Sequence, residues 1–160
     1  MTTDEHQQVV QACRASVARD LERFAASGQR ALALASAPPE PPRILVVDDE
    51  PAWATTLRRV LSGAIVIDAT GDFEVALERA LTGRFDAVLV DYCLPGTGRT
   101  GVEFIEAMRA GGCRTPVALM SGVASEVQLA FAASRVGVVA FEKSGDLQAL
   151  HALVKGLLGR

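Results

Sequence analysis

Two aliphatic runs, "RILVVDD" from Arg43 and "FDAVLVD" from Phe85, constrain this chain more than any other feature. Neither shows the polar–apolar alternation of a strand with one wet face, so each needs cover on both sides of a sheet. Each then stops on a carboxylate. "AIVID", "TPVALMS" and "VGVVAFEK" add three runs of the same kind, which gives five strands. Between them the apolar period lengthens to that of a helix. Trp53, Leu57, Val60 and Leu61 share one expected helical face, and Val75, Ala76 and Leu81 another. Val102, Ile105 and Met108 form a third, and Val127, Phe131 and Ala132 a fourth. Leu147, Leu150, Leu153, Val154 and Leu157 complete the set. The order is (βα)5, an α/β class with a doubly wound, parallel five-stranded sheet and right-handed crossovers.

A different pattern precedes it. "SAPPEPPR", Ser36 to Arg43, holds four prolines in five residues, which removes backbone donors and favours extended geometry. Residues 36–42 are therefore expected to be a semi-rigid linker. In residues 1–35, Val10, Val17, Phe24 and Ala31 recur every seven residues with Cys13 and Leu21 beside them, the stripe of an amphipathic helix. Asp20 and Ser27 occupy the second apolar position of each heptad, which weakens a coiled-coil seam. Packing on the neighbouring domain, loose order, partner binding and homodimerisation all remain open for this helix.

The 160 residues are 49% hydrophobic, with 16 Lys and Arg against 19 Asp and Glu, a net charge of -3. Such a chain has enough apolar residues for a core and lacks the basic excess of a direct nucleic-acid or anionic-lipid binder. Cys13, Cys93 and Cys113 are odd in number and lack CxxC spacing, so neither a disulfide framework nor a zinc site is expected. The start "MTTDEHQQVVQ" has no targeting character, and no apolar stretch is long enough for a bilayer. No membrane partner and a cytoplasmic location are the expectation.

Ligands of a doubly wound sheet bind beyond the carboxyl ends of its strands. The first strand ends in Asp48, Asp49 and Glu50, the third in Asp91, the fourth in Ser121 and the fifth in Lys143. Clustered carboxylates repel unless a cation holds them, and oxygen-only ligands suit Mg2+, which takes one or two carboxylates plus a phosphate oxygen. Lys143 and Ser121 supply a positive charge and a hydroxyl donor for an added anion. A central carboxylate can itself attack phosphorus, which makes Asp91 the candidate nucleophile.

Residues 43–160 resemble the receiver domain of two-component response regulators, a flavodoxin-like fold. The acidic pair of "VVDDE", the Asp of "VDYCLPG", the Ser of "LMSG" and the Lys of "FEKS" fall in the family's order, at family-like separations. The resemblance implies that Asp91 accepts a phosphoryl group from a sensor histidine kinase or phosphotransfer protein. It implies that Asp49 ligates Mg2+ directly, that Asp48 acts mainly through metal-bound water, and that the Cys93 backbone carbonyl completes the protein ligands beside Asp91. Ser121 and Lys143 would hold the phosphoryl oxygens. With Arg160 close behind the fifth helix, output is expected through contacts with a protein target, without a C-terminal DNA-binding or enzymatic domain. No turnover of a metabolite is expected, only phosphoryl acceptance and self-dephosphorylation.

Three positions depart from the family's usual pattern. Ser144 replaces a proline after the Lys and is the expected cap of the last helix. Ala140 stands where an aromatic switch residue is usual, with Phe141 one later, which puts that coupling in question. The loop "LPGTGRTGVEF" is about two residues longer than is common, a change that surface loops tolerate. A pseudo-receiver, keeping the fold without the switch, is the main alternative. A haloacid-dehalogenase-type phosphatase also uses an aspartyl nucleophile, but Cys93 holds the place of its second Asp. Taken singly, Asp91, Ser121 and Lys143 would more often be turns, caps or surface; it is their joint placement that points to a site. His6 reads as a solvated histidine, Trp53 as packing, and Cys93 as a thiol whose pKa nearby carboxylates should raise.

Overall fold

The computed structural model describes residues 16, 19, 22, 23, 25–27, 40–61, 65–94, 96, 98–143 and 146–159. Residues 1–40 and 41–160 form separate units. In the first, the described residues between 16 and 27 are helical and exposed, and the stripe from Val10 to Ala31, together with His6, lies outside the described residues.

In the second unit, β1 (Arg43–Val47), β2 (Val66–Thr70), β3 (Ala87–Asp91), β6 (Val117–Ser121) and β7 (Val139–Glu142) build one sheet in the order β2-β1-β3-β6-β7. Every adjacent pair is parallel. The central strand β3 is buried along its whole length, as its unbroken aliphatic run demands. Its side chains alternate between two cores. Val88 and Val90 join the core covered by α2 (Phe73–Leu81), α3 (Gly101–Ala110) and α4 (Glu126–Val136). Ala87 and Leu89 join the core covered by α1 (Pro51–Val60) and α5 (Leu147–Leu157).

Four expectations are corrected. The second strand runs to Thr70 and not only to Asp68, because Arg79 Nη1 lies 2.6 Å from Asp68 Oδ1 and neutralises that carboxylate within the strand. Val127 and Phe131 are 78% and 67% exposed. The buried face of α4 is Leu129, Ala132 and Ala133, three to four residues apart. That helix carries two apolar stripes, and periodicity could not say which one turns inward. Val75, Leu81 and Leu147 are likewise exposed, and Phe73, Ala76, Ala80, Leu150 and Val154 are buried on those helices. Finally, Asp146 caps α5, its Oδ1 accepting from the amides of Gln148 and Ala149, while Ser144 lies outside the described residues.

The linker's last proline extends the pairing of β1 with β2, where the Pro42 carbonyl accepts from Val66 N at 2.8 Å. The long loop after β3 folds into a small antiparallel pair, β4 (Cys93–Leu94) with β5 (Arg99–Thr100), with Gly98 at φ +66° in the turn.

Candidate functional site

Parallel strands bring the residues that end β1, β3, β6 and β7 to one edge. Asp48 follows β1, Asp91 and Ser121 are the last residues of β3 and β6, and Lys143 follows β7. Lys143 Nζ stands 2.6 Å from Asp48 Oδ2 and 3.0 Å from Asp91 Oδ1. The three side chains are only 9%, 1% and 11% exposed, so these pairs are far less screened than surface ion pairs. Oxygens of Asp48, Asp49 and Asp91 lie within 4.8 Å of one another, with Asp49 exposed.

Among the described residues Lys143 pairs with two of these carboxylates, and Asp49 adds a third negative charge, so negative charge is in surplus. Burial pushes the Asp91 pKa above the usual carboxylate value; the hydrogen bond and charge of Lys143 oppose the rise, and the charges of Asp48 and Asp49 add to it. Burial alone would lower the Lys143 pKa, but its hydrogen bonds to Asp48 and Asp91 outweigh that and hold it above the ordinary lysine value. Oxygen donors this close, with surplus negative charge, are the donor set a hard divalent cation takes.

Backbone contacts fix the frame. The β3–β6 ladder continues through Tyr92 N to Met120 O at 2.6 Å, and Lys143 N donates to Ser121 O at 2.8 Å. Ser121 Oγ accepts from Val123 N at 3.2 Å and Ala124 N at 2.9 Å, which shapes the turn into α4. The hydroxyl hydrogen is left for another acceptor. Two glycines let backbone approach the acids: a Cβ on Gly71 would lie 2.8 Å from Asp49 Cα, and one on Gly101 would collide with the Asp91 carbonyl oxygen. The Cys93 thiol pKa is raised by burial first and then by the Asp91 charge, as its neighbourhood predicted.

The family model described as "Response regulator receiver domain" matches residues 44–155. The chain belongs to this family. Transcriptional regulatory protein DltR of Streptococcus agalactiae serotype III is 34% identical over 80 residues, covering 49% of this chain and 35% of that protein. Protein-glutamate methylesterase/protein-glutamine glutaminase 5 of Myxococcus xanthus is 33% identical over 102 residues, 62% of this chain and 29% of that protein. The chain thus spans about a third of the length of the curated relatives it matches. The Vibrio cholerae chemotaxis protein CheY4 shares the fold at TM-score 0.63 and 24% identity, covering 74% of this chain and 99% of that one.

The receiver fold therefore gathers Asp48, Asp49, Asp91 and Lys143 as the strand ends predicted, and joins Ser121 to Lys143 through the backbone. Receiver domains bind Mg2+ at this acidic pocket, and the donor set present fits that ion. Sequence reasoning missed Gly71, Gly101 and the site-facing side of Trp53. For Gly101 a signal existed in "TGVE", where Thr100 and Glu103 form a reciprocal capping box that fixes the start of α3.

Proposed function

We propose that Asp91 is the phosphoacceptor of this receiver domain, loaded by a sensor histidine kinase or phosphotransfer protein, and that the loaded form signals through protein contacts. The Lys143 ammonium held between Asp48 and Asp91 carries this reading. An Asp91 carboxylate oxygen attacks the phosphorus of a phosphohistidine. The O–P bond forms, the P–N bond breaks, and the imidazole nitrogen leaves with the bonding pair. Lys143 then donates to a phosphoryl oxygen, and Ser121 offers its free hydroxyl hydrogen to another. Asp48, Asp49, Asp91 and the Cys93 carbonyl would hold Mg2+, which when bound offsets the negative charge of acids and phosphoryl group. Attack of water on the phosphorus later returns Asp91 to the carboxylate. Residues 1–35, joined by the linker 36–42, act in this reading as a helical extension for partner binding or homodimerisation, and the setting is cytoplasmic.

Intact mass after acetyl phosphate and Mg2+ tests the reading. One phosphoryl group is expected on the parent and none on Asp91→Ala; a folded parent that binds Mg2+ and takes no adduct would sink it.

Ala140 favours a second reading. It packs partly buried in the α2–α4 core, while Phe141 packs in the opposite core, so no aromatic side chain from position 140 follows Ser121. A pseudo-receiver is the outcome if the phosphorylated and free forms bind every partner equally.

A further inference from the structure

Trp53, on α1, packs partly buried against the Ile44–Leu57–Leu89 core. Its ring also borders the site, with Lys143 Nζ 5.6 Å from the ring centroid. The ammonium bonded to Asp48 and Asp91 thus has an aromatic ring as its third neighbour. Indole Nε1 is buried and has no hydrogen-bond partner among the described residues. Buried indole N–H groups usually find partners, and one left without is unfavourable. Leucine would fill apolar space here without that penalty. What indole offers and leucine does not is the strongest π surface for a cation among the side chains. The lysine it faces sits on a flexible four-carbon stem, so its ammonium is placed by its surroundings.

We propose that Trp53 is a positioning residue for Lys143: its ring and the two carboxylates together fix the ammonium where a phosphoryl group on Asp91 meets it. The proposal rests on Asp91 being the phosphoacceptor. Without the ring the ammonium keeps its two carboxylates but loses the contact on its third side, so its position relative to the phosphoryl oxygens is less closely set. Acceptance of the phosphoryl group then slows, by about three- to ten-fold for a cation–π contact of this burial.

The full chain, Trp53→Phe and Trp53→Leu are compared in two measurements. With acetyl phosphate and Mg2+, Trp53→Phe is expected within about two-fold of the parent rate and Trp53→Leu about three- to ten-fold slower. By NMR of the metal-free protein, the Lys143 ε-methylene protons are expected upfield in the parent and in Trp53→Phe, shifted by the ring current. In Trp53→Leu they return to the ordinary lysine position. A parental rate in Trp53→Leu overturns the proposal, as does a Trp53→Phe variant as slow as the leucine one. An unshifted Lys143 in the parent overturns it without reference to phosphorylation, and so decides the matter even if Trp53→Leu does not fold. A parent that takes no phosphoryl group fails the phosphoacceptor reading first and this proposal with it; a parent that takes one while Trp53→Leu keeps pace fails the role of Trp53 alone.

Discussion

Asp91 carries its charge against burial, and the Lys143 contact does not fully offset that cost. A group whose pKa rises on folding binds its proton more tightly in the native state. The contribution of Asp91 to metal-free stability is therefore full below the ordinary carboxylate pKa and is lost as pH rises through its raised one. Lys143 repeats the pattern at alkaline pH: its contribution is full below the ordinary lysine pKa and lost as pH climbs through its raised one. Asp91→Asn removes the acid-side loss, so its metal-free Tm at neutral pH should exceed the parent's, read by thermal unfolding with a chelator present. A lower Tm would mean that the ion pair with Lys143 outweighs the burial. The acids, Ser121 and Lys143 were legible because each closes an aliphatic run, and a polar residue there has few other reasons to recur on four strands. Trp53 was not, since an aromatic on a helix face reads as packing, and only the folded chain brings Lys143 to its ring.

At the level of elements, the site depends on how helices start. The Ser125 hydroxyl accepts from Gln128 N while the Gln128 side chain accepts from Ser125 N, a reciprocal cap directly after the Ser121 turn. Ser125→Ala should cost about 1 kcal/mol in chemical denaturation. Gly101→Ala drives a methyl group into the Asp91 carbonyl and should cost at least about 1–3 kcal/mol, the range for overpacking, while slowing phosphoryl acceptance. A neutral Gly101→Ala would show that α3 is not held against β3 as tightly as the structure has it. The strands were legible to within two or three residues, because a run buried on both faces has one reading; the largest miss is Val136, read with the fifth strand, which closes α4 before β7 begins at Val139. Helix faces were less so. Val127 and Phe131 have the same four-residue spacing as Leu129 and Ala133, and which pair turns inward is set by the sheet beneath, not by the helix itself.

Over the whole molecule, one sheet direction does most of the functional assembly: five parallel strands deliver four distant segments to one edge. The exposed stripe Val123, Val127 and Phe131 contributes little to this framework. Phe131→Gln should change unfolding free energy by no more than about 0.5 kcal/mol, the range of ordinary surface substitutions, in the same denaturation assay. A larger loss would place Phe131 in a contact that the described residues do not show. The central claim is that the carboxylate closing β3 becomes the acyl phosphate. Its most direct test is to treat the protein with acetyl phosphate and Mg2+, reduce with borohydride and map the peptides by mass spectrometry. The account predicts homoserine at position 91 and nowhere else. An adduct at another residue, or none on a folded protein that binds Mg2+, would contradict it.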